Sequence, residues 1–304
     1  MPSTSKQPAS LRKPGQLASI GLVAAGIMLA GIFADVATAI AQTAPAGILA
    51  PGNAAVTGFS GAIAPAQIAP GVDPRETTFI DVDGPSARIV DLQNPGGAAN
   101  AQLVAAPKPF TTTAAQIGQV FAVALDGNVP PNIYVAATSA YGLPIVAPGT
   151  DGQPRHVKLG APNAGFMPGL WGSAAPNGGP GSIWKIDGVT GNVSLFANVM
   201  LDGASNSGPS LGGLAFDPAT NSLFAADRDT GMIHSFGMNG TERGRYDHGV
   251  QGRAAQGLAP VSFDPNKRLS IATSKFDSEQ PATWSYAPPE RLVYGLGVFR
   301  GRLY

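Results

Sequence analysis

Residues 211–240 read LGGLAFDPATNSLFAADRDTGMIHSFGMNG, and weaker copies of this stretch lie on either side of it. Upstream stands QVFAVALDGNVPPNIYVAATS (119–139), and downstream GLAPVSFDPNKRLSIATSK (257–275). Each copy has an apolar run closing on an aspartate (Asp126, Asp217, Asp264), then a polar turn, then a second apolar run (Ile133–Ala137, Leu223–Ala226, Leu269–Ala272). Short strands recurring at a fixed period are the sequence signature of radially repeated β architectures. The pattern predicts an all-β chain folded as a β-propeller of about four recognisable blades or partial blades.

The spacing agrees. Asp217 and Asp264 are 47 residues apart, whereas Asp126 and Asp217 are 91 apart. The longer interval holds a Gly/Pro/Ala-rich insertion of 42 residues at 139–180 with little strand pattern, and without it the interval falls to 49. Both values fit a blade repeat of roughly 40–50 residues. Within the central copy, Leu214–Asp217 reads as the inner strand, Leu223–Asp227 as the second, Gly231–Gly237 as the third and Arg243–His248 as the outermost. Asp-Pro, Asp-Thr-Gly and Asn-Gly turns separate them. The upstream copy aligns as 119–125 and 132–138, then, beyond the insertion, 181–187 and 192–198. Residues 77–108 (TTFIDVDG, ARIVDLQ, AQLVAA) are expected to supply short strands that help seal the ring edge.

The form GLAFDP…LFAAD…IHSF…NG resembles the NHL and SMP-30 (gluconolactonase-like) propeller repeats, with their Gly-Leu-Ala-x-Asp opening, aromatic-Val-Ala-Asp second strand and Ile-x-x-Phe third strand. The resemblance is good over 211–240, fair over 119–139 and 257–275, and absent before about residue 77. It implies blade packing far more than any chemistry. Lactonases of this kind hold a divalent metal through an Asn just before the Gly-Leu-Ala opening, an Asp ending the following strand and an acidic residue from another blade. Asp227 matches that Asp, but Gly212 stands where the Asn would be, and no acidic partner is identifiable. Asn206 would substitute for it only if the loop MLDGASNSGPSLGG folds inward.

The ends carry different signals. Lys6, Arg12 and Lys13 precede an uncharged run, Pro14–Ala34, and then Ala37-Thr38-Ala39-Ile40-Ala41. Residues 1–41 therefore read as a secretory signal peptide cleaved after Ala41 or Ala39, which places the protein in the periplasm or outside the cell. Leu17–Ala34 is 18 residues, the lower edge of a membrane span of roughly 17–25. Uncleaved, the segment would be an anchor, and this is the one way in which a membrane enters the reading. Residues 42–76 read as an Ala/Pro/Gly-rich flexible lead-in, and 77–304 as the blades. The final RLVYGLGVFRGRLY begins a further repeat whose strand edge would stay unpaired, so a C-terminally incomplete propeller is expected; four irregular blades closed by 77–108 is the alternative.

Composition excludes several classes. Net charge is zero with 12% of residues charged, and beyond residue 41 there remain 16 basic and 18 acidic residues. There is no basic stripe for nucleic acid. The absence of cysteine removes thiolate metal sites, disulfides and a Cys nucleophile. No Gly-x-Ser-x-Gly elbow, His-Glu-x-x-His helix or phosphate loop occurs.

The candidate ligand face follows from the propeller reading. The insertion lies between a second and a third strand, so it caps the face on which propellers bind ligands. It offers Tyr141 and Trp171, the latter as a stacking platform or as a pin holding the loop. Arg228 and His248 belong to connections at the same face. Asp227 and Asp229, at alternate positions, have the spacing of half a calcium or other divalent-metal site, although Asp-Thr-Gly is also an ordinary turn. The expected function is an exported binding or scaffold protein presenting a loop-covered face to a carbohydrate, cell-wall or protein partner. The alternatives are a metal-dependent lactonase-type hydrolase using Asp227, and a partial propeller without activity of its own.

Overall fold

The computed structural model describes residues 46–304, except 66, 69, 94–105, 173–177, 274–276, 278, 281–282 and 284–286. Residues 1–41, expected to be a signal peptide, lie outside the described residues. Two four-stranded antiparallel meanders dominate. One runs Val120–Leu125, Ile133–Ala137, Ser182–Ile186, Val193–Asn198; the other runs Leu211–Asp217, Ser222–Asp227, Met232–Gly237, Glu242–Asp247. In both, strands neighbour in sequence order. A third sheet of three strands pairs Pro85–Asp91 with Asn53–Thr57 on one side and Phe110–Thr113 on the other.

The three sheets are joined by two cores. In the first meander every residue of Ile133–Ala137 is buried. Its side chains alternate across the sheet, as strand geometry requires. Ile133 and Val135 join Ile89, Ile117, Val120, Trp184 and Ile186 against the three-stranded sheet. Tyr134 and Ala136 face the other way, towards Leu211, Leu214, Leu223 and Phe236 of the second meander. A strand buried on both faces must be apolar throughout, which is why IYVAA shows no period-2 pattern. The outermost strand, Glu242–Asp247, is polar and mostly exposed, the usual treatment of a sheet edge. Trp184 and His234, on the third strand of each meander, are both fully buried.

Four sequence expectations need correction. The flexible lead-in is ordered in part: Asn53–Thr57 pairs with Thr57 opposite Ala87 and Asn53 opposite Asp91, and Ala62–Ile63 pairs with Phe79–Ile80. Residues 79–91 accordingly build sheets with Asn53–Thr57, Ala62–Ile63 and Phe110–Thr113, and do not pair with the strands near the C-terminus among the described residues. The insertion is structured too, with Ile145–Pro148 between Pro154–His156 and Gly165–Phe166. Finally, the downstream copy forms no strand among its described residues. Pro260 sits inside the would-be inner strand of GLAPVSFD, where it removes a ladder donor. What survives of the repeat is its turn, in which Asn266 N donates to Asp264 Oδ1 at 2.9 Å.

Two glycine contacts fix how later segments dock. Gly118, at φ +70°, lies so close to the insertion that an added Cβ would stand 2.4 Å from the Leu170 carbonyl oxygen. At Gly212 an added Cβ would stand 2.4 Å from the Val293 carbonyl oxygen, because the C-terminal segment crosses the inner strand there. The chain closes on a short hairpin of Val298–Phe299 with Arg302–Leu303. No helix among the described residues is long and apolar enough to cross a membrane.

Candidate functional site

Strand Ser222–Asp227 ends at a turn, Asp227-Arg228-Asp229-Thr230-Gly231, that brings the two aspartates of the expected metal half-site into the interior. Both carboxylates are already occupied. Asp227 Oδ1 accepts from Asn206 Nδ2 at 2.7 Å and from Asp229 N at 3.0 Å, while Oδ2 accepts from Thr230 Oγ1 at 2.7 Å. Asp229 accepts from Ser207 N at 2.8 Å, from Ser207 Oγ at 2.7 Å and from the guanidinium of Arg268 through Nε and Nη2. Arg268 Nη2 also donates to the Ser205 carbonyl at 2.5 Å. The corner thus ties loop 205–210 and the segment carrying Arg268 to the end of the second strand.

Asn206 does fold inward, as a metal site would need. However, its carbonyl oxygen accepts from Gly208 N at 3.0 Å and Ser210 N at 3.1 Å, which leaves only the amide nitrogen facing Asp227. Gly212 is a glycine because the Val293 backbone occupies the space beside it. No group of three His, Cys, Asp or Glu among the described residues is arranged to hold a metal. In this structure the carboxylates of Asp227 and Asp229, the expected metal half-site, serve as hydrogen-bond acceptors that hold the turn.

Burial raises the pKa of the Asp227 carboxyl, and the nearby Asp229 charge pushes the same way, against the hydrogen bond from Thr230. The folded state then holds this proton more tightly than the unfolded chain, whose carboxyl titrates near 3.8. The resulting stabilisation is complete below that value and is lost as pH rises through the folded pKa. Asp227→Asn, which keeps an acceptor and carries no charge, is expected to flatten this decline. Urea midpoints of both proteins from about pH 3 to pH 8 read it directly; parallel curves would contradict a buried, proton-holding Asp227. His234 lies beside this corner, with Nδ1 2.9 Å from Glu242 Oε1 and Nε2 3.9 Å from Asp227 Oδ2.

A different arrangement surrounds Tyr141. The chain leaves strand Ile133–Ala137 into a turn closed by Gly142 N donating to the Ser139 carbonyl at 3.0 Å. This sets the Tyr141 ring 5.8 Å from Phe59 and 6.4 Å, edge-on, from Phe121. Beneath it is a cavity of about 150 Å³ whose lining includes Phe59, Phe79, His156, Met167 and Leu170. The His156 ring stacks on Phe79 at 5.7 Å, and its Nε2 lies 2.6 Å from the Thr78 carbonyl oxygen. Gln119 also lines the cavity but is committed elsewhere: its amide nitrogen donates to Ser60 Oγ at 2.9 Å and the Gly169 carbonyl at 3.1 Å, and its oxygen accepts from Ser60 N at 3.2 Å. Partial burial raises the Tyr141 phenol pKa, so the ring remains a neutral hydroxyl at physiological pH.

The other sequence candidates separate. Trp171 is 9% exposed and packs edge-on against Phe166 at 5.4 Å, within a core of Ile80, Ala114, Ala137, Met167 and Leu170. It pins the insertion to the sheet, the second of the two roles its sequence suggested, and the close backbone approach at Gly118 fixes it there. Arg228 donates to Ser139 Oγ at 3.3 Å and lies 5.1 Å over the Tyr294 ring, so it braces the base of the Tyr141 turn. His248 follows the outermost strand in a turn capped by Asp247, and its ring makes no hydrogen bond among the described residues. Of the four ligand-face candidates, only Tyr141 borders the cavity. Phe59 and Phe79, which do border it, had no local signal, because Phe59 and Tyr141 meet across some 80 residues of chain; His156, also at its border, belongs to the insertion expected to cap this face. No protein-family model matches this sequence and no curated protein is significantly similar to it, so what the site can do rests on its geometry.

Proposed function

We propose that this chain is an exported β-propeller of the NHL/SMP-30-like kind that acts as a binding protein, taking a small ring-shaped ligand or the ring-bearing tip of a larger partner at the Tyr141 face. Consecutive four-stranded meanders packed face to face support the propeller reading. The observation that carries the binding reading is the aromatic-walled cavity under Tyr141, since a concave apolar site with few polar groups is the usual form of a ligand pocket. The carbohydrate, cell-wall and protein partners expected from sequence all remain able to present a ring to such a site. The lactonase-type reading loses its support, because the oxygen atoms it would give to a metal already accept hydrogen bonds from protein donors. Export, with membrane attachment only through an uncleaved N-terminal segment, rests on the sequence of residues 1–41.

Thermal unfolding of the full chain tests the proposal, with millimolar calcium in one arm and single-ring compounds in the other. A ring compound at about 100 times its Kd adds roughly 2.7 kcal/mol, an upward shift easily read in the melting curve. The expected result is a shift with ring compounds and none with calcium. A calcium shift without a ring shift would revive the metal reading and end this one.

A further inference from the structure

We infer that the ligand of the Tyr141 cavity is a phenol: one planar ring carrying a single hydroxyl donor. The inference rests on the binding reading above and deepens it. A cavity of about 150 Å³ accommodates a benzene-sized ring, and the volume here is the same, with its mouth open to solvent at Phe59 and Tyr141. Phe59, Phe79 and Tyr141 supply ring walls for offset or edge-on packing, and Met167 and Leu170 add apolar, polarisable surface.

The polar groups then choose among ring compounds. A backbone carbonyl can only accept, so the 2.6 Å contact with the Thr78 oxygen requires His156 Nε2 to carry the proton. In the neutral imidazole this makes Nδ1 an obligate acceptor, and it has no partner among the described residues. The Gln119 amide is used by Ser60 and Gly169, and the Thr78 carbonyl by His156 itself. Among the lining side chains, His156 Nδ1 is an acceptor with no hydrogen bond within the described residues, Tyr141 supplies an adaptable hydroxyl, and the Thr78 hydroxyl already donates to the Pro74 carbonyl. That set suits a single ligand O–H. A sugar ring would bring more hydroxyls than these groups can pair. A benzoate or an aryl phosphate would meet no Lys or Arg in the lining.

The test is calorimetric titration of the full chain with phenol, toluene and methyl glucoside. Toluene matches phenol in shape and is the more apolar, so hydrophobic transfer alone would favour it. Phenol binding more tightly than toluene therefore reads the hydroxyl, and this is the expected result. His156→Phe, which keeps a ring against Phe79 but removes the acceptor, is expected to weaken phenol about 3- to 10-fold, the worth of one hydrogen bond, and to leave toluene unchanged. Toluene binding as well as or better than phenol to the unmodified protein would overturn the phenol assignment while leaving the cavity a binding site. Methyl glucoside binding more tightly than either would replace phenol with a sugar ligand. No binding by any of the three would overturn both this inference and the binding function on which it rests. Because these outcomes are read on the unmodified protein, a variant that fails to fold does not rescue the idea.

Discussion

Trp184→Ala is expected to lower the unfolding free energy by about 3–5 kcal/mol, the range for deleting a fully buried large aromatic side chain. Trp184 is 0% exposed and lies in the cluster with Ile89, Ile117, Val120, Ile133, Val135 and Ile186, at the interface between the three-stranded sheet and the first meander. The cavity left would be walled by strands held in register on both sides, which limits collapse. Its indole nitrogen is buried without a hydrogen-bond partner among the described residues, so the loss there is one of packing alone. Trp184→Phe, which restores most of the ring volume and removes the unsatisfied donor, should recover a large share of the loss. Against a typical total of about 5–15 kcal/mol, the alanine variant loses a substantial fraction of its stability. Urea denaturation followed by far-ultraviolet circular dichroism measures it; a loss under about 1 kcal/mol would mean that the two sheets are not packed through Trp184.

The parts of this fold that were legible in sequence are those made by neighbours in the chain. The strands expected at 119–125, 132–138, 181–187 and 192–198 lie within one or two residues of Val120–Leu125, Ile133–Ala137, Ser182–Ile186 and Val193–Asn198. Each is bounded by a turn whose residue types announce it, and a meander needs only such turns. The strand at 53–57 was not legible, because NAAVT carries almost no pattern and becomes a strand only when Pro85–Asp91 lies alongside it. The copy at 257–275 misled for the opposite reason: it keeps the turn chemistry at Asp264 while Pro260 denies it a ladder. The candidate site follows the same division. Asp227 and Asp229 were visible as a pair, but their role is set by Asn206 and Arg268, up to 39 residues away. His156 gains its obligate acceptor from Thr78, at a separation of 78 residues, and no local reading could have joined them.

The same turn that holds Asp227 depends on a residue much later in the chain, and removing it is the other large expected effect. Arg291 is completely buried. Its Nε donates to the Thr230 carbonyl at 2.9 Å, its Nη1 donates to the Val261 carbonyl, and its Nη2 lies 2.9 Å from Asp247 Oδ1, an ion pair not aligned as a hydrogen bond. One guanidinium thus fastens the C-terminal segment and residue 261 to the end of the second meander. Arg291→Ala leaves the Asp247 carboxylate, whose side chain is only 23% exposed, and two carbonyls without their cation, at an expected cost of about 3–5 kcal/mol. The origin of that cost is separable. If it comes from the stranded charge, Arg291→Met combined with Asp247→Asn should be milder than Arg291→Met alone, because a buried pair can be replaced as a unit far more cheaply than it can be broken. If it comes from lost anchoring of the C-terminal segment, the double variant should be no milder. The Val293 backbone would then move off Gly212, which hydrogen exchange at residues 211–214 would register as lost protection.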